Sequence, residues 1–379
     1  MSFGGPIAHL GYFHDEFVRR RQWLSEQDYA DCVSLAQFLP GPSSSQVGFA
    51  IGARRRGLWG GVAAWCGFTL PSAMLMAAAA TALISANVEV ASQWLRGISL
   101  MTLAVVVHAL WYMARTFWGT RVSLAIGLVS ALYLWWHQGV VAQFLVLLGG
   151  GLLGALLLKT RQELKQNVEA SSLSQVLSTY RPTVVGVLLF ALLLLMSLSG
   201  GASTSDNLWR FALRFYRIGA TVFGGGHVVL PLLSTEFVQS GEMSVSQFET
   251  LYGLAQALPG PLFAVASGIG VILAPKASIA YAATAVVAMF LPGVLLMASL
   301  RPVWQTMRND ALLSRWATGV NAASVALLVS VFFNSNLVTV VVSWREVLFT
   351  LVVLGILVKK VMPNWLLVPL SAVVGHYVF

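Results

Sequence analysis

The sequence predicts an all-α, polytopic membrane protein whose two halves are inverted structural repeats. Three observations predict this fold class. The chain has 379 residues, of which 57% are hydrophobic and 10% are charged, whereas roughly 25% of the residues in a soluble domain are charged. Apolar runs of about 18–20 residues, long enough to cross a bilayer as helices, recur along most of its length. The octapeptide at 35–42, Leu-Ala-Gln-Phe-Leu-Pro-Gly-Pro, returns at 254–261 with a single difference.

Charge, cysteine content and motifs limit the classes of function. The formal net charge is +9, which in a membrane protein reflects Lys and Arg in cytoplasmic loops, so no nucleic-acid partner is expected. Cys32 and Cys66 are too few for a disulfide framework or a metal cluster and fit small core residues. Residues 1–6 show no cleavable signal peptide. Because the sequence has no phosphate-binding loop, paired-histidine motif or Gly-x-Ser-x-Gly elbow, we expect neither an enzyme nor a cofactor.

The first repeat, residues 1–158, is predicted to begin with a re-entrant hairpin. Arginine triplets at 19–21 and 54–56 flank the first Pro-Gly-Pro turn, and the positive-inside rule places both triplets in the cytoplasm. One crossing between them would put one triplet outside, whereas two half-helices that meet at the turn satisfy both. About ten transmembrane helices and two such hairpins are expected in all. Four crossings then return the first repeat to the inside, at roughly 58–86, 96–114, 121–137 and 140–158.

A basic, polar linker at 159–181 is predicted to be cytoplasmic and to lead into the second repeat, residues 182–379. A crossing at 183–199 lets this repeat start from the opposite side. In its hairpin, Gln239-Ser240-Gly241 replaces the first arginine triplet, and only Lys276 stands near the position of the second. Hairpins on the external side lose arginines in this way, which indicates inversion. The remaining crossings are predicted near 277–300, 316–334, 346–358 and 364–378.

The two Pro-Gly-Pro breaks are the predicted substrate site. Helices broken at matching points of two repeats are typical of secondary transporters. A half-helix that starts after Pro42 presents free N–H groups and its positive dipole end to an anion. The second break has Leu262, Phe263 and Ala264 where the first has serines, so more anion contact is expected at the first; the alternative is a packing kink with satisfied caps. The predicted binding residues at the breaks are Gln37, Pro40, Gly41, Pro42, Ser43, Ser44, Ser45, Gln256, Pro259, Gly260 and Pro261.

Two glutamines and an arginine are the predicted polar contacts outside the turns. Gln37 and Gln256 each precede a turn by three residues, and an amide can donate to an oxyanion while being easier to bury than a charge; the alternative is a glutamine that caps its own half-helix. Arg217 shares a helix face with Arg214, and arginines at membrane depth face a cavity or a partner. Interfacial snorkelling or pairing with Asp206 is the alternative for Arg217.

Glycine clusters and ionisable residues complete the candidate set. The glycines at 4–5 and 224–226 allow close approach of the backbone to an ion or to another helix. A histidine lies near each cluster, at different offsets, which favours structural roles. Matched glutamates in the two repeats either relay protons or neutralise arginines. The candidates are Gly224, Gly225 and His227 for substrate contact and Glu16, Glu236 and His9 for coupling.

Several of these motifs closely resemble the chromate ion transporter family in its long, two-repeat form. The resemblance lies in Phe3–Pro6, Gly11–Phe13, the octapeptide, Gly67–Pro71 and Phe223–His227. It implies a bacterial inner-membrane protein that exports chromate and confers resistance to it, with sulfate as a competing isostere. The partners are then the oxyanion and the lipid bilayer, with a homodimer left open. The family pattern has a helix before both glycine clusters, so either Met1 is not the biological start or the first helix is absent.

The predicted mechanism is alternating access around an anion site between the hairpins, driven by membrane potential or exchange. The alternatives from the sequence are a transporter of sulfate or another tetrahedral oxyanion, an anion channel, and a membrane protein without transport activity, such as a lipid scramblase. Saturable, exchangeable flux in a reconstituted system distinguishes these classes.

Overall fold

The computed structural model is helical along most of the chain that it describes. These residues are 5–85, 88–137, 140–158, 173–199, 207–223, 229–304, 310–334, 341, 343–359, 361–362 and 364–378. Within them, five helical stretches are long and apolar enough to cross a membrane, and four shorter apolar helices accompany them. The prediction of an all-α, polytopic membrane protein is confirmed.

The helices of the described chain follow the predicted apolar runs. Those of the first repeat are α1 (Gly5–Phe13), α2 (Glu26–Phe38), α3 (Ser43–Ser85), α4 (Val88–Phe117), α5 (Arg121–Trp136) and α6 (Val140–Leu157), and α7 (Leu173–Ser199) runs from the predicted linker into the second repeat. Those of the second are α8 (Leu208–Thr221), α9 (Val229–Leu233), α10 (Val245–Ala257), α11 (Val265–Leu273), α12 (Ser278–Leu300), α13 (Ala311–Asn334), α14 (Trp344–Lys359) and α15 (Asn364–Val378). Helix α7 starts inside the predicted linker 159–181 because residues 173–180 contain neither glycine nor proline to stop it.

Both repeats contain a hairpin of the same build. Helices α2 and α10 each have 13 residues and begin at serine N-caps, Ser25 and Ser244, whose side chains accept a bond from the N–H three residues later. Both end at the Pro-Gly-Pro turns, where the two prolines lack backbone donors and disfavour helical geometry at the residues before them. The turn glycines have φ of +114° at Gly41 and +123° at Gly260, a region open mainly to glycine. We call residues 40–42 the first break and 259–261 the second break.

A second irregularity separates each hairpin from the long helix that follows it. In the first repeat, Arg56 and Gly57 leave helical geometry within α3, so residues 43–55 form a half-helix of their own. In the second repeat, a 3₁₀ turn at Leu262–Ala264 starts the half-helix, and another at Pro275–Ala277 separates it from α12.

The arginine triplets of the first repeat meet at the same end of its hairpin. The ring of Trp23 lies 5.2 Å from the guanidinium carbon of Arg21 and 4.9 Å from that of Arg55. Arg54 forms an ion pair with Asp28. One aromatic ring therefore contacts a member of each triplet, which is the arrangement expected of two half-helices that return to the side where they began.

The two repeats interlock through reciprocal helix contacts. Helix α4 packs on α14 and α15 of the second repeat, while its counterpart α13 packs on α5 and α6 of the first. Glycines mark the closest crossings: a Cβ on Gly97 would lie 1.8 Å from the carbonyl oxygen of Ser371, and one on Gly319 would lie 2.1 Å from that of Gly150. Small residues at such crossings let membrane helices approach closely. Neither repeat packs as a separate unit.

The half-helices after the breaks lie at the centre of the fold. Helix α11 packs between α3 and α12, and the hydroxyl of Ser267 on α11 donates to the carbonyl oxygen of Ala73 on α3 at 2.8 Å. Val47 and Ala50 on the first half-helix and Val265 on the second are fully buried. Irregular backbone at membrane depth is tolerated only where it is buried in protein or lines a water-filled cavity. The packing around the half-helices provides this burial for the two breaks.

Candidate functional site

The first break is buried against the second repeat. The N–H of Gly41 donates to the carbonyl oxygen of Val222 at 2.8 Å, just after helix α8. A Cβ on Gly41 would lie 3.1 Å from the Cα of Gly293, which follows Pro292 in α12. The first break therefore rests on the proline-containing long helix of the other repeat.

The second break packs on the first repeat in the same way. A Cβ on Gly260 would lie 2.6 Å from the Oγ of Ser72 and 3.5 Å from the carbonyl oxygen of Phe68. Ser72 follows Pro71 in α3, as Gly293 follows Pro292 in α12. The same dipeptide, Leu70-Pro71 in α3 and Leu291-Pro292 in α12, thus stands beside the contact surface for each break.

Buried polar groups gather where the first half-helix begins. Ser44, Ser45 and Gln46 are at most 2% exposed. The side-chain amide of Gln46 donates to the carbonyl oxygen of Pro40 at 2.8 Å and so closes the turn. The hydroxyl oxygen of Ser45 and the amide oxygen of Gln46 have no hydrogen-bond partner. Such unpaired buried groups are rare in native proteins, and here they accompany the free N–H groups of a helix N-terminus.

His9 contacts the first break and the ring of Phe68 on α3. Its Nδ1 is 3.4 Å from the Oγ of Ser44 at the first break. Its ring packs edge-on against that of Phe68, with 5.2 Å between the centroids, and the carbonyl of Phe68 faces the second break. The adjacent Thr69 is fully buried, and its hydroxyl has no partner. His9 therefore contacts both the first break, through Ser44, and Phe68, a residue that lies beside Gly260.

The matched glutamines lie in different environments. The side chain of Gln37 is exposed. Gln256 is 9% exposed, and its amide donates to the hydroxyl of Tyr252 one turn earlier on its own helix, at 2.8 Å. Beyond the second break, Leu262 and Phe263 are buried and apolar. The polar half of the candidate site is thus the first break.

Arg217 is held in an ion pair on helix α8. Its guanidinium donates to a carboxylate oxygen of Glu236 at 2.6 Å and to the carbonyl oxygen of Ser197 at 2.9 Å. Arg214 donates to the other carboxylate oxygen of Glu236, also at 2.6 Å. Asp206, the partner considered from the sequence, lies outside the described residues. Arg217 therefore forms an ion pair, as one alternative from the sequence expected, but its partner in the structure is Glu236.

Glu16, the counterpart of Glu236, is also paired with two arginines. Its carboxylate accepts from Arg21 at 2.5 Å and from Arg20 at 3.1 Å. These hydrogen bonds, with that from Arg21 the stronger influence, lower the pKa of Glu16, which lies outside the membrane-spanning helices. Both matched glutamates thus neutralise arginines, one of the two roles considered for them from the sequence.

Three predicted contact residues, Gly224, Gly225 and His227, lie outside the described residues. The described chain stops at Phe223, one residue after the Val222 carbonyl that accepts from Gly41. This glycine cluster therefore follows directly on a residue that contacts the first break.

Glu249 is a buried carboxylate that is absent from the residues predicted from the sequence. It lies on α10, is 4% exposed, and has the Ser99 hydroxyl of α4 as its hydrogen-bonding neighbour. Sequence comparison of the two repeats does not reveal Glu249, because the equivalent residue of the first repeat is Ala30. The signal that reveals it is an acidic residue within the re-entrant hairpin, where ionisable groups are rare and functional.

Comparison with known proteins agrees with this architecture. A family model described as Chromate transporter matches residues 1–155 and 209–376. A probable chromate transport protein of Synechococcus elongatus is 26% identical over 99% of this chain and 91% of its own length. The chromate transport proteins of Pseudomonas aeruginosa and Cupriavidus metallidurans are 27% and 26% identical, over 84% and 86% of this chain and 75% and 77% of their own lengths.

No solved structure matches the chain. The family model, however, takes in both hairpins and both breaks and leaves out the segment that contains α7. By the extent of that match, this multi-pass membrane protein belongs to the chromate transporter family.

Proposed function

We propose that this protein is a secondary transporter that exports chromate, or another oxyanion of the same shape and charge, across the bacterial cytoplasmic membrane and thereby confers resistance. Family membership and the names of the relatives support chromate as the substrate. The observation that carries the site is the buried start of the half-helix 43–55, where the Ser45 hydroxyl has no partner. An oxyanion bound there would accept hydrogen bonds from donors that have no partner within the protein.

In this proposal the first break supplies most of the anion contact. Free N–H groups of the first helical turn and the hydroxyls of Ser43, Ser44 and Ser45 donate to the oxyanion, as helix N-termini do for other anions. His9 approaches from the side of the second break. Gln37, whose side chain is exposed on the protein surface, is assigned to the entry of the site, whereas Gln256 supports the second break through Tyr252. Arg217 is assigned to its ion pair.

Membrane potential is sufficient to drive the proposed export. Moving two negative charges outward through an inside-negative potential releases roughly 4.6 kcal/mol per 100 mV. That free energy sustains a concentration ratio of about three orders of magnitude. We propose that the two hairpins, each resting on the long helix of the other repeat, expose the site alternately to the two sides.

The experiment is chromate flux in liposomes reconstituted with the purified protein. Ser45→Ala makes the first break resemble the second, which has Ala264 at that position. We expect its flux at low substrate concentration to fall about tenfold, because a hydrogen bond to a charged group is worth about 1.5–3 kcal/mol. Ser324→Ala is the matched control: Ser324 is also buried, but its hydroxyl bonds within α13.

Unchanged flux in Ser45→Ala, with Ser324→Ala also unchanged, would remove the first break as the binding site. If the wild-type protein transports sulfate but not chromate, sulfate would be identified as the substrate in place of chromate. Flux that neither saturates nor exchanges would identify an anion channel.

A further inference from the structure

Glu249 is a buried carboxylate on α10, the helix that leads into the second break, and it faces α4. One of its carboxylate oxygens has no hydrogen-bond partner and is shielded from solvent. The Ser99 hydroxyl on α4 is its polar neighbour. Burying a charged carboxylate without a cation is very unfavourable, and such groups neutralise instead. The position therefore suits a carboxyl group that carries a proton.

A line of buried polar groups joins Glu249 to the second break. Glu249, Tyr252 and Gln256 are spaced by three and four residues, so they share a face of α10. The Gln256 amide donates to the Tyr252 hydroxyl at 2.8 Å, and the Pro259–Pro261 turn follows. On the facing helix the hydroxyl of Thr102 is buried without a partner, and it would lie 3.6 Å from a Cβ on Gly253.

The structure shows no ion pair between Glu249 and the cationic side chains described on the neighbouring helices. Arg96 on α4 pairs with the buried Glu346 of α14, and the arginines near the π-helical turn Ser234–Val238 pair with Glu236. Helix α11 has no charged residue. Among the described side chains, the other ionisable groups on the helices packed against α10 are His108, Tyr112 and Arg115 on α4, His376 and Tyr377 on α15, and Arg54, Arg55, Arg56 and Cys66 on α3.

The two hairpins therefore differ in their ionic properties. The first break presents hydroxyls and N–H groups suited to an anion, and its hairpin has Ala30 at the position of Glu249. The second break is apolar, but its hairpin contains the buried acid. Seven helical residues, about 10 Å along the axis, separate Glu249 from Gln256. A dianion bound at the breaks, beyond the Gln256 end of this helix, disfavours a further negative charge on α10 and so favours protonation of Glu249.

We propose that Glu249 is the proton-binding group of the transporter and that one proton crosses with each oxyanion. The proton binds a carboxylate oxygen of Glu249 while the site is loaded, and it is released to water on the far side when the dianion leaves. No bond of the oxyanion changes. The complex then moves with a net charge of −1, and membrane potential still favours export. This inference rests on the proposed oxyanion transport.

The test measures the ratio of chromate across the membrane of reconstituted liposomes at equilibrium, with the potential clamped at zero and both sides alkaline so that chromate remains a dianion. A gradient of one pH unit should accumulate chromate about tenfold on the alkaline side in the wild type, as one proton per oxyanion requires. Glu249→Gln should remove this accumulation while chromate exchange at equal pH continues. Glu242→Gln, an exposed carboxylate on the loop before α10, should retain the full tenfold ratio.

Accumulation that persists in Glu249→Gln, a wild-type ratio indifferent to the pH gradient, or accumulation on the acidic side would each overturn the inference while leaving oxyanion transport intact. If Glu249→Gln does not fold, Glu249→Asp provides the second variant, and it should retain accumulation because it keeps a carboxyl group. A folded wild-type protein that moves no chromate overturns the proposed function and this inference with it.

Discussion

At the scale of single residues, sequence identity between the repeats does not imply the same role. Gln37 and Gln256 match in sequence, yet the first is exposed and the second bonds within its own helix. Glu16 and Glu236 match and also behave alike, because each accepts from two arginines. Burial and ion pairs depend on distant segments, so the sequence predicted candidates, and only the fold assigned their partners.

Arg217 illustrates how a structural role can be separated from a role in substrate binding. Removing its guanidinium leaves the 9%-exposed carboxylate of Glu236 with Arg214 as its remaining partner. We expect Arg217→Ala to lower the free energy of unfolding by roughly 3 kcal/mol, since Arg214 alone then faces the two carboxylates of Glu236 and Glu242. Adding Glu236→Gln should restore part of this loss. Thermal unfolding of the purified variants in detergent measures both effects.

A site role for Arg217 would produce the opposite pattern. Stability would then be unchanged in Arg217→Ala, and flux would be lost in both the single and the double variant. That result would indicate that Arg217 contributes to anion binding.

At the scale of elements, the break is the unit that sequence predicts best. Proline and glycine act locally, so the ends of α2 and α10 follow directly from the chain. The packing of each break on the long helix of the other repeat could not be read from the sequence, because it depends on a contact between segments some 200 residues apart. The same limit applies to Glu249, whose environment is supplied by α4.

The two turn glycines should be intolerant of any side chain. At Gly260, φ is +123°, and a Cβ would lie 2.6 Å from the Oγ of Ser72. Gly260→Ala should therefore combine backbone strain with a clash and reduce stability by about 3 kcal/mol. Gly57→Ala is the control: its φ of +61° and ψ of −157° are also confined to glycine, but no atom lies within 4 Å of a Cβ there, so backbone strain alone is expected to cost about 2 kcal/mol, less than at Gly260. Equal losses for the two variants, measured as thermal stability in detergent, would refute the tight contact at the second break.

At the scale of the whole molecule, the interlocked repeats join the two breaks into one region. Apolar runs and arginine positions predicted the crossings and the hairpins, and the described helices agree with those runs to within a few residues at most ends. The exceptions are helix ends without a local stop signal, such as the start of α7 at Leu173. Through the reciprocal packing of α4 and α13, each repeat completes the helix packing of the other.

The most direct test of this account is potential-driven chromate flux by the wild-type protein in liposomes that contain no other protein. With the interior positive, chromate should accumulate inside, the initial rate should saturate with concentration, and sulfate should compete. Collapse of the potential should release the accumulated anion. A folded protein that gives no chromate accumulation above that of protein-free liposomes would contradict the account.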